Sequence, residues 1–407
     1  MVASSVEGMR ILHTSDWHVG RRFNDVDVLD HLGVVLDAMV DAVRTEQIDV
    51  VVVAGDIFDR ASPPPEAFNF LDQVLVKIRK AGAQVVLISG NHDGASRLSF
   101  MSAAAASFGI HVRTRADQIG DAIVIDDAHG PVHFYGIPYL DPTLDRAQFD
   151  AELPRSHEAI LDAAMDRVRA DLAGRGARPR SVVLSHCFAV KGKRDGALPR
   201  SAETAAQVTD SMRSIAVGGV EVAPTDVFEG ASYVALGHLH TKQALDDRIR
   251  YSGAPLAYSF GDERVARGFW VVDLGAEGDV HAEWRTLPIP RKVSTITGEL
   301  DALISDPAYD GVEDDWISAI LTDQARPTDA MRKLRNRFAH CVHLEHRPLV
   351  IADGGELSYQ DRVRGKSDED LAVEFVAHVR NGVAASLAER ALIAEAFEDL
   401  RAAEVAE

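Results

Sequence analysis

The chain has 407 residues, a net charge of −20 and 46% hydrophobic residues, a balance typical of a globular protein with two or three domains. No apolar run approaches the ~20 residues that a membrane-spanning helix needs, and two cysteines allow one disulfide at most. The acidic charge argues against a general nucleic-acid binder, which is usually basic. We expect a cytoplasmic protein without a secretion signal, in which residues 1–8 form a flexible lead.

Short β-branched runs alternate with helical stretches over the first 275 residues. The predicted strands are Met9–Ser15, Ile48–Ala54, Ala83–Ser89, Val132–Ile137, Ser181–Ser185 and Tyr233–Leu236. Helical periodicity is present in Val26–Glu46 and in Pro63–Ala81, and the second of these helices is expected to end at Gly82. Near-continuous apolar strands are typical of a sheet covered on both faces by helices. The fold class is therefore α/β, a layered sandwich of mixed sheets flanked by helices.

The pattern changes near Pro290, where a second and smaller unit is expected. We assign residues 9–289 to the main domain and 290–350 to a small α+β capping domain. The predicted pieces of that domain are Val293–Ser305, Trp316–Leu321, Thr328–Phe338 and Cys341–Glu345. Residues 351–366 are polar and are interpreted as a linker. Two helices with apolar faces are expected within residues 367–407.

Residues of the metal-ligand type follow five of the predicted strands. They are Asp16, His18, Asp56, Asn91, His92, Asp93, His186, His238 and His240. Ligands of open α/β sheets bind beyond the carboxyl ends of strands, so these side chains are expected at one edge. Carboxylate, imidazole and amide ligands without thiolate favour Mn, Fe or Zn, and two ions sharing a carboxylate suit displacement at phosphorus. The alternative, ordinary turn residues, requires five coincidences in the same topological place.

These motifs, among them Asp16-Trp17-His18, Gly55-Asp56 and Gly237-His238-Leu239-His240, resemble the signature of the calcineurin-like metallophosphoesterases. Longer stretches are similar to the SbcD family of nuclease subunits. They are HTSDWHVGR (13–21), AGDIFDRASPP (54–64), ISGNHDGASRL (88–98), SHCF (185–188) and YSGAPLAYSFGD (251–262). Residues 320–338 are similar to the capping domain of that family. One departure is Lys242, where many relatives have proline after the last ligand.

The resemblance implies a role for each residue of this set. One ion would be held by Asp16, His18 and His240, with Asp56 as the bridging ligand. The second ion would take Asp56 together with Asn91, His186 and His238. His92 would face the scissile phosphate as a general acid or as a stabilising cation. Asp93 would orient His92, and the alternative for Asp93 is a turn cap. Two divalent ions are implied, Mn²⁺ first, with Fe, Zn or Mg as alternatives.

The resemblance also implies the activity and the partners. The expected activity is metal-dependent DNA hydrolysis, as an exonuclease on duplex ends and an endonuclease on hairpin or single-stranded DNA, in repair, recombination and replication. The expected partner is an SbcC-like ATPase with a coiled coil, and the protein is expected to be a homodimer within a heterotetramer, associated with the nucleoid. The helices of 367–403 could dock that partner or pack on their own domain. Dimer contacts are expected from 64–80 or 96–108.

Basic residues near the motifs are candidates for DNA contacts, although each of them is more often a solvated surface charge. They are Arg21, Arg22, Arg97, Lys191, Lys193 and Arg194. As a group they could follow a phosphate backbone despite the acidic net charge. Two rival functions remain open at this point. One is a small-substrate enzyme, a cyclic-nucleotide phosphodiesterase or a phosphomonoesterase, and the other is a catalytically silent scaffold.

Overall fold

The fold is described from a computed structural model, in which residues 8–193, 222–348, 365–379 and 384–406 are described. The chain divides into a first unit, Met1–Pro290, and a second unit, Arg291–Glu407. Three regions assigned from the sequence lie wholly or largely outside the described residues. These are the N-terminal lead apart from Gly8, the candidate DNA contact Arg194, and the linker 351–366 up to residue 364.

The first unit contains strands and helices from Gly8 to Thr286. Its strands are β1 (Gly8–Thr14), β2 (Arg22–Phe23), β3 (Val26–Asp27), β4 (Val50–Ala54), β5 (Gln84–Ile88), β6 (Ile110–Arg113), β7 (Ile123–Asp127), β8 (Gly130–Ile137), β9 (Arg180–His186), β10 (Ala189–Val190), β11 (Ala223–Pro224), β12 (Tyr233–Gly237), β13 (Gln243–Ala244), β14 (Ile249–Tyr251), β15 (Gly268–Gly275) and β16 (Val280–Thr286). Its α-helices are α1 (Leu29–Thr45), α2 (Pro65–Ala81), α3 (Ala95–Leu98), α4 (Ser102–Ala106) and α5 (His157–Ala173). Short 3₁₀ helices occupy Ala116–Gln118, Arg146–Gln148, Thr225–Phe228 and Phe260–Asp262.

Two six-stranded sheets form the first unit, in the orders β16-β15-β1-β4-β5-β6 and β13-β14-β12-β9-β8-β7. Strands β1, β4, β5 and β6 run parallel in the first sheet, and β8, β9, β12 and β14 run parallel in the second. Antiparallel strands complete both sheets at their edges. The predicted fold class, mixed sheets flanked by helices, is confirmed.

The inner faces of the two sheets pack on each other through apolar side chains such as Val52 and Val182. Helices α1 and α2 cover the outer face of the first sheet, where Leu36 and Val74 approach Leu12. Helix α5 covers the second sheet. Each sheet therefore has helices on one face and the other sheet on its second face, so the expectation of helices on both faces of one sheet is wrong. A strand buried on both faces has the same apolar sequence whether a helix or a second sheet covers it.

The second unit contains a parallel three-stranded sheet and four helices in its described residues. The elements are β17 (Val293–Gly298), α6 (Leu300–Ser305), β18 (Trp316–Leu321), α7 (Ala330–Arg337), β19 (Cys341–His346), α8 (Asp368–Val379) and α9 (Leu387–Ala406), with a 3₁₀ helix at Pro307–Val312. Helices α6 and α7 pack on the sheet through Leu300, Leu303 and Leu334. Helices α8 and α9 contact each other. Among the described residues, no helix combines the length and apolar character needed to cross a membrane.

Candidate metal centre

The carboxyl ends of strands from both sheets bring the predicted ligands to one place. Strands β1, β4 and β5 are followed by Asp16, Asp56 and Asn91, and β9 ends at His186. In the second sheet, β9 and β12 are paired, so that His186 lies opposite Gly237, which precedes His238. Ligand atoms of Asp16, His18 and His240 lie within 4.8 Å of one another, as do those of Asp16, Asp56 and His186.

The backbone at four of these ligands is in the left-handed region. The φ angles are 54° at Asp16, 45° at His18, 50° at Asp56 and 98° at His238. Such angles are uncommon outside glycine, and they concentrate at functional sites. Glycines allow the close packing around them, because a Cβ on Gly90 would lie 2.1 Å from Asp56 Oδ1. A Cβ on Gly55 would likewise lie 2.3 Å from His186 Nδ1. The turns are therefore shaped around the ligand side chains.

Asp16, His18 and His240 form what we call the enclosed half of the site. Asp16 and His18 are 0% and 1% exposed. The Nε2 atoms of His18 and His240 face each other at 3.0 Å. Asp16 accepts the backbone N–H of His238 at 3.1 Å and a hydrogen bond from the Ser15 hydroxyl. Asp16 and His18 thus have little access to water, while His240 is half-buried.

Asn91, His186 and His238 form the open half. Asn91 is exposed and His238 is half-buried. Asn91 Oδ1 lies 3.1 Å from His186 Nε2 and 3.1 Å from His238 Nδ1. The other nitrogen of His186, Nδ1, lies 2.8 Å from the Ala54 carbonyl oxygen. Because a carbonyl oxygen only accepts, Nδ1 of His186 carries the hydrogen and Nε2 is directed into the cluster.

Asp56 lies between the two halves. Its Oδ2 is 3.6 Å from His18 Nε2 and 3.4 Å from His186 Nε2. Burial would raise the pKa of Asp56, but the charge and hydrogen bond of His186 hold this pKa well below its usual range. Burial would lower the pKa of His186, but Asp56 raises it above the ordinary value. The carboxylate between the two halves is thus ionised.

The other histidines of the cluster are kept neutral. Burial lowers the pKa of His238 to about 3, and the nearby charge of His186 adds to the effect. Burial also lowers the pKa of His18 well below its ordinary value, against the opposing charge of Asp56. Neutral imidazole is the form that binds a metal ion. These residues are therefore in the ligand form at neutral pH.

His92 is oriented by a backbone group that the sequence did not indicate. Its Nδ1 lies 2.8 Å from the carbonyl oxygen of Asp59, so Nδ1 carries a hydrogen and Nε2 remains on the other side of the ring. The ring centroid lies 4.9 Å from that of His18. The carboxylate of Asp59 lies 3.7 Å from His18 Nδ1 and accepts from Arg21 at 3.2 Å. Asp59 stands three residues after Asp56 in the same turn, and this spacing was the signal that could have identified it.

Asp93 does not have the orienting role that we expected of it. Its carboxylate accepts the backbone N–H groups of Ile57, Phe58 and Gly90 at 3.0, 2.8 and 2.9 Å. The alternative interpretation, a turn cap, describes these contacts. Backbone amides of the two turns satisfy the carboxylate, and the Asp59 carbonyl takes the position beside His92. Asp93 therefore supports the turn that carries Asn91 and His92.

Tyr258 and the Arg267–Asp262 pair support the backbone of the enclosed half. The Tyr258 hydroxyl donates to the Trp17 carbonyl, and its ring centroid lies 5.4 Å from that of His18. Arg267 donates to the His240 carbonyl at 2.7 Å and pairs with Asp262 at 3.1 Å. The side chains of this pair are 3% and 1% exposed. These contacts fix the backbone on both sides of the enclosed half, and sequence reasoning missed them.

His13 is a buried polar link between the two sheets. It is 0% exposed on β1, and its ring nitrogens lie 2.8 Å from the Tyr233 hydroxyl and 3.1 Å from the Leu236 carbonyl, both on β12. Burial lowers the pKa of His13 to about 3. Strand β1 precedes Asp16 and His18, and β12 precedes His238 and His240. The link therefore joins two strands that deliver ligands.

The predicted DNA contacts lie in different environments. Arg21 is half-buried, bonded to Asp59 and placed over the Tyr258 ring at 5.1 Å, so it belongs to the framework of the site. Arg97 is exposed and donates to the Ala61 carbonyl at 2.9 Å. Three more of these residues, Arg22, Lys191 and Lys193, are exposed.

The donor set fits two divalent cations. Carboxylate oxygens, imidazole nitrogens and an amide oxygen converge, while the two cysteines, Cys187 and Cys341, are buried thiols outside the cluster. His18 Nδ1 is buried and makes no hydrogen bond within the described residues, and its Nε2 faces another imidazole nitrogen. A cation bound between these two nitrogens would accept a lone pair from each imidazole. Hard-to-borderline metals suit such ligands.

Comparison with known proteins places the chain in a family. Residues 9–242 match the family model described as calcineurin-like phosphoesterase. The solved structures that resemble it include TT1561 of Thermus thermophilus (13% identity, 68% of this chain and 99% of that chain, TM-score 0.38). They also include a dimetal phosphatase from Danio rerio (15% identity, 69% and 96%, TM-score 0.40). A third is GAP50 of Plasmodium, described as the anchor in the inner membrane complex (10% identity, 84% and 97%, TM-score 0.37).

The chain belongs to the calcineurin-like phosphoesterases, because the family model covers more than half of it. A second match extends over residues 289–380, to the SbcD_C model, described as the type 5 capsule protein repressor C-terminal domain. The two domains together support an SbcD-like nuclease subunit. The chain is thus a metal-binding phosphoesterase with a C-terminal domain of the SbcD type.

Proposed function

We propose that this chain is a two-metal-dependent DNA nuclease, the SbcD-type subunit of a complex with an SbcC-like ATPase. It would act as an exonuclease on duplex ends and as an endonuclease on hairpin or single-stranded DNA, in end processing, repair, recombination and replication. One observation carries the proposal: a cluster of carboxylate and imidazole ligands with His92 beside it occurs in a chain that also matches the SbcD C-terminal domain. The proposed location is the cytoplasm, in association with the nucleoid.

The first proposed ion is held by Asp16, His18, His240 and Asp56, and the second by Asp56, Asn91, His186 and His238. Two divalent ions at these residues, proposed to be Mn²⁺, would supply positive charge to the phosphate and would favour ionisation of the attacking water. Because His92 donates its Nδ1–H to the Asp59 carbonyl, Nε2 is the nitrogen available to the leaving oxygen, and as an imidazolium His92 would donate the Nε2 proton to it. The proposed contribution of Asp93 is to hold the turn that carries His92.

DNA would be held by exposed cations around the site rather than by the overall charge. Arg22, Arg97, Lys191 and Lys193 are the proposed phosphate contacts, together with Arg194 outside the described residues. Arg21 would act by fixing Asp59 and Tyr258 more than by contacting DNA. The acidic net charge of −20 predicts weak DNA affinity without the partner.

Exposed apolar side chains mark two proposed contact surfaces. On α8 and α9, Phe375, Leu387 and Leu392 are 66%, 88% and 65% exposed, which supports docking of the coiled-coil ATPase there. Around α4, Phe100 and Phe108 are 79% and 73% exposed, which supports a homodimer within a heterotetramer.

The test compares the purified chain with His92→Ala and Asp56→Ala variants in Mn²⁺, on linear duplex DNA and on bis-p-nitrophenyl phosphate. DNA degradation that both variants abolish is the expected result. Asp56→Ala should also lose bound metal, whereas His92→Ala should keep it. Cleavage of the small diester, but never of DNA even with the ATPase partner and ATP, would favour a small-substrate phosphoesterase. Absence of metal binding and of all hydrolysis would indicate a silent scaffold.

A further inference from the structure

Tyr139 lies at the open half and is held by both sheets. It follows β8, whose carboxyl end lies beside that of β9 because the two strands are parallel. Its backbone N–H donates to the Ser89 carbonyl at 2.9 Å, directly after β5 and two residues before Asn91. The preceding Pro138 is buried and restricts the backbone. The position of this aromatic residue is therefore fixed relative to the open half.

The Tyr139 ring borders the ligands. Its centroid lies 6.4 Å from the ring of His238, with an interplanar angle of 28°, and 6.4 Å from the ring of His186. His157, the first residue of α5, approaches it at 5.8 Å. The side chain is nevertheless only half-buried. Part of a rigid aromatic ring is thus exposed beside the open half.

A second tyrosine at the cluster provides a contrast. Tyr258 approaches His18 and His240, is 5% exposed and donates its hydroxyl to the Trp17 carbonyl. Its ring is part of the packed framework and offers no surface to a substrate. Tyr139 differs in exposure and in the half of the site that it borders.

We propose that Tyr139 is a stacking platform for a nucleobase next to the scissile phosphate. A base can stack on an aromatic side chain whatever its identity, because every base has a π-face. A base within a duplex is already stacked on its neighbours, so the platform selects nucleotides whose base is unpaired or frayed. The inference rests on the proposed nuclease function and deepens it.

The platform and His92 contact different sides of the reacting group. The His92 ring is packed near His18, in the enclosed half, whereas Tyr139 lies near His186 and His238. With His92 serving the leaving oxygen, Tyr139 binds the nucleoside that is retained on the phosphate. A tyrosine ring has only two side-chain torsions and is already fixed here, so little conformational entropy is lost on stacking.

The experiment compares three diesters with the same leaving group, measured with Mn²⁺. They are the p-nitrophenyl esters of thymidine 5′-monophosphate and thymidine 3′-monophosphate, and methyl p-nitrophenyl phosphate, which has no base. For Tyr139→Ala we expect about a tenfold rise in KM for at least one thymidine ester, the size expected for the loss of one stacking contact. The methyl ester should change less than about twofold on the same argument. Tyr139→Phe should match the wild type on all three.

Phe149→Ala is the matched control, since Phe149 is another half-buried aromatic residue, packed against Arg167 away from the ligands. It should leave the ratio between thymidine and methyl esters unchanged. Equal losses on all three esters in Tyr139→Ala would overturn the platform in favour of a packing role. A Tyr139→Phe variant as impaired as Tyr139→Ala would also overturn it, because the hydroxyl would then be the essential group. A wild-type chain that hydrolyses the esters but never linear or single-stranded DNA, even with the ATPase partner and ATP, overturns the nuclease function instead, and the ester ratios still decide the role of Tyr139.

Discussion

The enclosed and the open halves of the metal centre are built in different ways. In the enclosed half, Asp16 and His18 are buried, and Tyr258 and the Arg267–Asp262 pair support the surrounding backbone. In the open half, Asn91 is exposed, and the described neighbours of its amide oxygen are nitrogens of His186 and His238, each at 3.1 Å. The comparison teaches that one half is fixed by the fold while the other depends more on the bound ion and substrate. We therefore expect the two ions to differ in affinity and in exchange rate.

The largest effect is expected from substitution of Asp56, because this residue lies between the two halves. Asp56 lies within 3.6 Å of His18 and 3.4 Å of His186, so Asp56→Asn removes the charge that both ions share. We expect loss of both ions and a fall in diester hydrolysis of roughly 10³-fold. Metal content by mass spectrometry and steady-state kinetics measure the two effects. The control is Asp126→Asn, at an exposed carboxylate on β7, and this variant should still bind two ions. If Asp56→Asn retains one tightly bound ion, Asp56 is not a ligand that both ions share.

The support of the enclosed half can be tested with Arg267→Met. The substitution leaves the buried Asp262 carboxylate without its partner, and this should destabilise the protein by about 3–5 kcal/mol. Denaturant unfolding of the metal-free protein measures the change. The double variant Arg267→Met, Asp262→Asn should recover part of the lost stability. A loss below about 1 kcal/mol, the size typical of exposed pairs, would contradict the proposed support.

The independence of the open half can be tested with Asn91→Ala. We expect one ion to bind as in the wild type, and the affinity for the other to fall roughly 10- to 100-fold. The reason is that the enclosed half keeps its own carboxylate and imidazoles. Calorimetric titration with Mn²⁺ gives both stoichiometry and affinity. If both ions weaken equally, the two halves are one cooperative site and the comparison fails.

A further effect should appear in acid, through the His13 link that both halves share. Because burial depresses the pKa of His13 to about 3 in the folded protein, the unfolded chain binds the proton more readily. The stability due to neutral His13 is complete above a pH of about 6.5 and is lost as the pH falls towards about 3. His13 is expected to contribute about 1.4 kcal/mol per pH unit to the slope, in addition to the contributions of the other buried histidines.

His13→Gln should remove this contribution from the slope, and the exposed His129→Gln should leave the slope unchanged. The measurement is the free energy of unfolding of the metal-free protein between pH 4 and 7, about the range set by these pKa values. Identical slopes in the wild type and in His13→Gln would show that His13 is already protonated or solvated in the folded state.

Sequence reasoning identified the strands because each is a continuous apolar run. Predicted Ile48–Ala54 corresponds to β4, Val50–Ala54, and helix α2 ends before Gly82, whose φ of 115° allows the turn. The sequence alone could not show whether a helix or the second sheet covers each face of a strand. The ligands were assembled from motifs at strand ends, where a polar residue after an apolar run is conspicuous.

The supporting contacts were not predictable, for a physical reason. His13 meets Tyr233 across 220 positions of sequence, and no local pattern distinguishes a buried histidine bonded to another strand from one on a surface. The Asp59 carbonyl orients His92 through the backbone, which any residue type provides. Asp93 was misassigned because adjacency in sequence suggested a contact with His92 that the turn directs elsewhere.

The left-handed backbone at Asp16, His18, Asp56 and His238 has an evolutionary consequence. Each such residue costs of order 1–3 kcal/mol relative to relaxed backbone, and glycine would relieve much of that cost. A lineage released from selection for metal binding would therefore gain stability by losing these side chains. Selection for stability would then favour their replacement. Four strained side chains at one edge of the fold are therefore expected to persist only while chemistry at that edge is selected.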